Sequence, residues 1–153
     1  MNKLTEKIVR SGPLDAHTLT KIAKTAKSCW GYPKEWLEQW ESELTISPKD
    51  IDENFVFHVE QDGKVVGFYC LSGENGVFNF EHLWVLPEST GKGLGKMLLE
   101  HAKETALQNG GRKLRVESDP HAEGFYLKMG MHRVGEKESG VPGRMLPILE
   151  MGL

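Results

Sequence analysis

Near the start of the chain, the pattern of apolar residues predicts a short strand and then an amphipathic helix. Residues 4–10 alternate loosely between apolar and polar types, which predicts a short first strand. Residues 14–29 then carry apolar or small side chains at intervals of three and four, which predicts an amphipathic helix. The positions that define its buried face are Leu19, Ile22, Ala23 and Ala26.

A second helical segment follows an aromatic turn. Residues 30–33 (Trp-Gly-Tyr-Pro) interrupt the first pattern, and Pro33 suits the first turn of a new helix. One face of that helix is expected to carry Trp36, Leu37, Trp40 and Leu44. Ser47 is then expected to cap a further short helix.

Beyond residue 54 the hydrophobic period changes from that of a helix to that of a strand. Residues 55–59 alternate, a hairpin turn is expected at 61–64, and a second strand covers 65–71. A further turn at 73–76 leads into a third strand over 77–86.

The remainder of the chain alternates between helices and strands. Residues 91–108 form an amphipathic helix that ends at Gly110 and Gly111. A strand is expected at 113–117, followed by a short helix to 129 with Asp119 as its cap and Pro120 at its first position. Two final strands are expected at 132–137 and 145–151. The pattern predicts a single α/β domain over residues 1–153.

Composition and charge narrow the class of protein. The chain of 153 residues has 39% hydrophobic and 27% charged residues, which is typical of a soluble globular domain. Its formal net charge of −3 gives no basic excess. A nucleic-acid partner is therefore not expected, because binding phosphates needs clustered Lys and Arg.

The positions of the cysteines and histidines, and the lack of a long apolar run, predict a cytoplasmic protein that binds no metal. Cys29 and Cys70 lie far apart and are expected to be reduced core residues rather than a disulfide. The six histidines show no paired metal-ligand spacing. The N-terminus lacks the apolar stretch of a signal peptide, and no run approaches the about 20 residues of a membrane span.

A strand leads into a glycine-rich turn that opens the long helix. Glycines at 91, 93 and 95 allow the backbone to approach a ligand closely, and the N–H groups of the helix start favour an anion such as a pyrophosphate. A Walker A loop would need Gly where this chain has Thr90, and Ser or Thr where it has Met97. A Rossmann loop would need Gly where this chain has Lys96. The turn therefore matches neither of these phosphate-binding loops.

Two segments together resemble the motifs of the GNAT acetyltransferases. Residues 83–87 followed by Gly91-Lys92-Gly93-Leu94-Gly95 resemble motif A, in which Arg or Gln usually stands where this chain has Thr90. Residues 122–131 (Ala-Glu-Gly-Phe-Tyr-Leu-Lys-Met-Gly-Met) resemble motif B. The two motifs stand in the family's order and at about its spacing.

The resemblance implies a fold and an activity. The fold would be a mixed, mostly antiparallel sheet of about six to seven strands, splayed at the coenzyme A site and flanked by about four helices. The activity would be transfer of the acetyl group of acetyl-CoA to a primary amine of a small molecule, by direct attack in a ternary complex. A protein or peptide acceptor and a non-catalytic CoA-binding regulatory module are the alternatives. A homodimer is possible in such a family.

The resemblance also assigns the cofactor site. Backbone groups of Leu83, Trp84 and Val85 would contact the pantetheine arm, and His121 would lie against CoA or simply follow the Asp119 cap. The pyrophosphate would bind the main chain of Thr90, Gly91, Lys92, Gly93, Leu94, Gly95 and Lys96.

Catalytic and acceptor residues follow from chemistry and from strand register. Tyr126 would protonate the leaving thiolate, and Glu81 is the first candidate for the base that accepts the proton of the amine. Asn79 and His82 are the alternatives to Glu81, with His82 on the opposite face of a regular strand. The expected acceptor contacts are Trp30, Tyr32, Asn79, His82 and Arg144, whereas Trp36 and Trp40 are expected to be core.

Overall fold

The structure is a computed structural model that describes residues 6–153. Residues 4 and 5 of the expected first strand lie outside the described residues. The strands are β1 (Glu6–Arg10), β2 (Phe55–Gln61), β3 (Lys64–Glu74), β4 (Val77–Val85), β5 (Lys113–Glu117), β6 (His132–Glu138) and β7 (Met145–Gly152). The helices are α1 (Ala16–Ser28), α2 (Lys34–Gln39), α3 (Glu41–Leu44), α4 (Pro48–Glu53), α5 (Leu94–Gln108) and α6 (Glu123–Lys128).

The seven strands follow the order β1-β2-β3-β4-β5-β7-β6, which confirms the expected mixed sheet. The pairs β1–β2, β2–β3, β5–β7 and β6–β7 are antiparallel, whereas β4 and β5 are parallel. The parallel pairing runs from Val77↔Lys113 to Phe80↔Val116 and stops there. β4 continues to Val85 beyond its last pair with β5, whereas β5 ends at Glu117.

The helices are more divided than the pattern predicts, with six α-helices where about four are expected. The segment expected as one helix after Pro33 is two helices, because Trp40 between them has a non-helical backbone (φ −89°, ψ 3°). The cap at Ser47 is confirmed, since its hydroxyl accepts the N–H of Asp50 at 3.0 Å. Asp119 likewise begins a 3-10 turn at Pro120–Ala122 that continues into α6.

The chain forms two compact units, each described by itself. The first comprises the described residues up to Leu71 together with His82–Ala102, and the second comprises Ser72–Glu81 and Lys103–Leu153. Buried side chains of the first unit include Leu19, Ile22, Ile51, Val56, Val59, Phe68 and Leu98. Those of the second include Phe78, Phe80, Leu114, Val116, Met131 and Leu149.

Within the first unit, Gly67 allows β3 and β4 to lie unusually close. A Cβ at Gly67 would stand 2.8 Å from the backbone oxygen of Trp84 and 3.3 Å from Leu98 of α5. Leu86 donates its N–H to Val66 at 2.8 Å, which closes this contact. A side chain at position 67 would therefore push apart the strands that carry the start of the candidate site.

The two cysteines differ from the expectation in one respect. Cys70 is buried in β3, as expected of a core residue. Cys29 is exposed at the end of α1, so its assignment to the core is wrong. The helix simply ends there, and the solvent side of its last turn falls on Cys29.

Candidate active site

The glycine turn between β4 and α5 forms an open backbone loop. Gly91 and Gly93 have φ values of 80° and 78°, a left-handed conformation that strongly favours glycine. No atom lies within 4 Å of where a Cβ would stand at either residue, so the outer side of the loop is free of protein. Leu94 is 1% exposed and anchors the following helix in the core. This loop, residues 90–96, is called the cradle below.

The start of α5 supplies hydrogen-bond donors to the cradle. The N–H of Met97 donates to Gly93 at 3.0 Å, and the N–H groups before it have no acceptor within the helix. The helix has 15 residues, so its dipole places partial positive charge at this end. Lys92 and Lys96 are exposed beside these donors. The donor set therefore fits a phosphate or pyrophosphate group.

Thr90 differs from the family pattern and has an internal role. Its hydroxyl donates to the backbone oxygen of Pro87 at 2.9 Å, which ties the cradle to the 3-10 turn at Pro87–Ser89. Ser89 in that turn is buried. The side chain of Thr90 thus stabilises the entry to the cradle, and its shape is well suited to this short bond.

His82 and Trp84 project from the same face of β4. The indole N–H of Trp84 donates to Nδ1 of His82 at 3.1 Å, and the imidazole lies 5.8 Å from the ring of Phe68. Because an indole only donates, Nδ1 is the acceptor and the neutral ring carries its proton on Nε2. Burial lowers the pKa of His82 to about 4, although the negative charge of Asp50 acts in the opposite direction.

Five aromatic side chains of the first unit pack together, and three of them surround one lysine. They form what is called the aromatic cluster below, which consists of Trp30, Tyr32, Trp36, Trp40 and Trp84. Trp30 packs against Trp84 with 5.7 Å between ring centroids, so the two expected wall residues, Trp30 and Tyr32, do join the end of β4. Trp40 is core as expected, whereas Trp36 is half-buried.

Lys27 is the functional candidate that the sequence did not reveal. Its Nζ lies 4.2 Å from the ring centroid of Trp40, 5.5 Å from that of Tyr32 and 5.9 Å from that of Trp84. All three distances are within the range of cation–π attraction. In the sequence Lys27 is one of several lysines of α1, and only the packing of distant aromatics distinguishes it.

In the second unit, Glu81 and Asn79 have separate partners. The exposed carboxylate of Glu81 accepts a hydrogen bond from the hydroxyl of Ser72 at 2.7 Å. Arg115 on β5 reaches Oδ1 of Asn79 at 3.5 Å, opposite it in the register. Glu81 keeps a solvated carboxylate with lone pairs to spare, which a proton acceptor requires.

Tyr126 of α6 is buried at 5% exposure and packs against aromatic neighbours. Its ring lies 6.2 Å from Phe80 and 5.2 Å from Phe125. Burial, helped by the negative charge of Asp119, raises the pKa of the phenol above its ordinary value. The hydroxyl therefore stays protonated at neutral pH and is available as a donor.

Asp119 connects two of the expected site residues. Its carboxylate accepts the N–H of His121 at 2.9 Å, contacts Nδ1 of that ring at 3.1 Å, and pairs with Arg144 at 2.8 Å. The side chains of Asp119 and Arg144 are only 7% and 10% exposed. Arg144 was expected to offer its charge to the acceptor. In the structure a buried carboxylate pairs with that charge and fixes the loop before β7, and the acceptor contact of Arg144 stays a prediction.

The expected site residues fall into the two units. The first unit holds the cradle, the end of β4 and three acceptor candidates, namely Trp30, Tyr32 and His82. The second unit holds Asn79, Glu81, His121, Tyr126 and Arg144. Among residues 6–153, no group of three or more His, Cys, Asp or Glu side chains is arranged to hold a metal. Nor does any helix in that range have the length and apolar character to cross a membrane.

Comparison with known families gives a match over most of the chain. A family model described as the Acetyltransferase (GNAT) family matches residues 19–131. The "Peptidyl-lysine N-acetyltransferase YjaB" of Salmonella typhimurium is 36% identical over 94 residues, which cover 61% of this chain and 60% of that protein. The chain thus spans about 60% of the length of that relative.

Two further comparisons extend over almost the full length. The "5-NmdU N-acetyltransferase" of Pseudomonas phage PaMx11 is 27% identical over 141 residues, covering 87% of this chain and 92% of that protein. The crystal structure of the PaiA N-acetyltransferase from Thermoplasma acidophilum, in complex with coenzyme A, superposes with a TM-score of 0.79. It is 20% identical and covers 97% of this chain and 99% of its own, which shows a shared fold.

Proposed function

The chain belongs to the GNAT family of acetyltransferases, and from that premise we propose that it moves the acetyl group of acetyl-CoA to a primary amine of a small molecule. The cradle carries this proposal. Its left-handed glycines, Gly91 and Gly93, expose backbone donors at the start of a helix of 15 residues, after the stretch of β4 that extends beyond its pairing with β5. An anionic cosubstrate with an extended arm suits this combination.

Acetyl-CoA would supply an activated thioester when bound. The N–H groups of Thr90–Lys96 would hold its pyrophosphate, and Lys92 and Lys96 would add positive charge. Backbone groups of Leu83, Trp84 and Val85, on the stretch of β4 beyond its pairing with β5, would hold the pantetheine arm. His121, which contacts the Asp119 cap, would lie against CoA.

The reaction needs one proton acceptor and one proton donor. The amine nitrogen forms a bond to the acetyl carbon, the bond from that carbon to sulfur breaks, and the sulfur leaves with the electron pair. Glu81, directly or through water, would take the proton that the amine loses, and Tyr126 would give a proton to the thiolate. The phenol of Tyr126 carries its proton at neutral pH, although its raised pKa makes it a weaker acid toward the thiolate.

His82 is less suited to the base than Glu81. Its Nδ1 already accepts a hydrogen bond from Trp84, and its pKa of about 4 makes it a weak acceptor of protons at neutral pH. Its Nε2–H is instead a donor for a polar group of the acceptor. No cysteine stands in either motif, which favours direct attack over an acyl-enzyme.

A glycine pair tests the cradle. Gly93→Ala should weaken CoA binding at least tenfold in calorimetry, because a methyl group would occupy the open side of the loop. Gly63→Ala is the matched control, since Gly63 has a φ of 82° and the same empty surroundings but lies in the β2–β3 turn. Both variants should lose about 1–2 kcal/mol of stability from the left-handed backbone. Equal CoA affinity in the two variants would refute the cradle.

Turnover separates the candidate activities. Purified protein is incubated with acetyl-CoA and a panel of small primary amines, and released thiol is measured. The second candidate is acetylation of a lysine side chain, which is favoured because the relative that is 36% identical is named a peptidyl-lysine N-acetyltransferase. A lysine-containing peptide that is acetylated when no small amine reacts would support it. CoA binding without any turnover would instead support a regulatory module.

The pH dependence of Glu81→Gln tests the base. If Glu81 removes the proton of the amine, the variant should lose about 10²–10⁴-fold in kcat/KM at neutral pH, which is typical of general bases. The loss should shrink as the pH approaches the pKa of the amine, because the free amine then needs no base. Glu74→Gln, an exposed residue at the end of β3, is the control. A pH-independent deficit would contradict the role.

A further inference from the structure

Lys27 occupies a position that resembles a ligand in an aromatic cage. Its ammonium lies over three rings from different parts of the chain, with distances of 4.2, 5.5 and 5.9 Å to Trp40, Tyr32 and Trp84. Rings that converge on one cation in this way are the general means by which proteins bind alkylammonium groups. Here the group that is bound belongs to the chain itself.

The cage is the aromatic cluster of five rings, and contacts among these rings hold it in shape. Tyr32 stands edge-on to Trp40 at 4.9 Å and lies 5.9 Å from Trp36, and Trp30 links Tyr32 to Trp84. Trp40 is 4% exposed and forms the floor. The other four rings are half-buried, so one side of the cluster meets solvent. The rings would keep their arrangement if the lysine moved out.

The chemistry of the cage excludes the amine that is acetylated. Cation–π attraction needs a charged ammonium, whereas the attacking amine must be neutral to offer its lone pair. A cage of this kind therefore suits a second cationic group of the acceptor, away from the reacting nitrogen. Trp84 of the cage stands on β4 between Leu83 and Val85, which are assigned to the pantetheine arm, so the cage adjoins the stretch of β4 that would hold that arm.

We propose that the aromatic cluster is the subsite for a second ammonium group of the acceptor, and that Lys27 occupies it until such a group displaces it. The substrate class is then a small diamine, one nitrogen of which is held as a cation while the other is acetylated. This inference rests on the proposed acetyltransferase function for its substrate class. Binding of a cation to the cluster does not depend on turnover.

Intrinsic fluorescence measures the binding directly. All four tryptophans of the chain belong to the cluster, so the emission reports on this site alone. The probes are choline and 3,3-dimethyl-1-butanol, which have the same shape but differ in charge. Choline should bind the wild type saturably and bind Lys27→Met at least tenfold more tightly, because the competing ammonium is gone. The neutral analogue should not saturate.

Lys24→Met is the matched control. Lys24 lies one turn earlier on α1 and pairs with Glu41 at 3.1 Å rather than with the aromatic cluster. The Lys24→Met variant should bind choline with the same affinity as the wild type. The inference is overturned if Lys27→Met gains no affinity over Lys24→Met, or if the neutral analogue binds as well as choline.

A turnover comparison links the cage to the acceptor. Wild-type kcat/KM should be at least tenfold higher for 1,4-diaminobutane than for n-pentylamine, which has similar length but no second nitrogen. The KM for the diamine should fall in Lys27→Met and stay unchanged in Lys24→Met. If amines react without any preference for the diamine, the assignment of the cage as an acceptor subsite is refuted, and the proposed acetyltransferase activity is not affected. Choline binding without acetylation of any amine would overturn the activity and leave the cation site intact.

Discussion

Replacing His82 with glutamine should remove a specific acid sensitivity of the fold. The imidazole has a pKa of about 4 in the folded protein, below the 6.5 of the free side chain, because burial disfavours its charged form. As the pH falls through 6.5, the unfolded chain binds a proton that the folded chain does not. The unfolded state is then stabilised, and the free energy of unfolding decreases until the pH reaches the folded pKa.

The size of the effect follows from the difference between the two pKa values. One pKa unit is worth about 1.36 kcal/mol, so the interval from 6.5 to about 4 gives about 3 kcal/mol between pH 7 and pH 4. Because the ring is half-buried rather than enclosed, water screens part of this penalty, and we expect about 2–3 kcal/mol. About half of the loss should have occurred by pH 5.5.

The assay is urea unfolding at a series of pH values from 7 to 4, followed by circular dichroism. His82→Gln keeps an acceptor for the indole N–H of Trp84 but cannot titrate, so its free energy of unfolding should fall less than that of the wild type. His17→Gln removes an exposed imidazole of α1 and should track the wild type. If the difference between wild type and His82→Gln is constant across the pH range, the reasoning about burial is refuted.

Three further predictions rest on close contacts and burial. Gly67→Ala should cost about 1–3 kcal/mol in urea unfolding because its Cβ would stand 2.8 Å from a backbone oxygen, whereas Gly124→Ala, with nothing within 4 Å, should be neutral or stabilising; equal effects would refute the steric argument. Asp119→Asn should cost about 3–5 kcal/mol by removing the carboxylate that pairs with a buried arginine, against less than about 1 kcal/mol for Glu136→Gln in an exposed pair of shorter distance. Above pH 10 the unfolded chain loses a proton that the folded Tyr126 keeps, so the wild type should lose stability that Tyr126→Phe retains, seen as diverging urea midpoints; parallel midpoints would contradict the raised pKa.

Local patterns predicted the elements of the fold well. The strand at 113–117 and the cap at Ser47 appear as expected, because alternation and capping depend on neighbours within a few residues. The helix expected after Pro33 was divided at Trp40, whose ring is buried among aromatics of the first unit. The break thus falls at a side chain whose neighbours are distant in sequence, which a local pattern does not include.

The candidate site was predicted unevenly for the same reason. The glycine cradle is a local feature, since left-handed φ values and helix starts are encoded by the residues that adopt them. The ion pair of Asp119 with Arg144 joins residues 25 positions apart, and no local sequence pattern predicts it. Its consequence is that an arginine expected to face the acceptor pairs with a buried carboxylate.

The sequence by itself determined the family, the order of strands and helices, and the loop after β4, because each depends on short-range spacing and on the conformational freedom of glycine. The tertiary structure alone decided that His82 is a neutral donor and that Lys27 lies in a cage of aromatic rings. Those properties arise from desolvation and from contacts between β4, α1 and the segment that follows α1. Such terms depend on which distant residues meet, and a linear pattern does not contain that information.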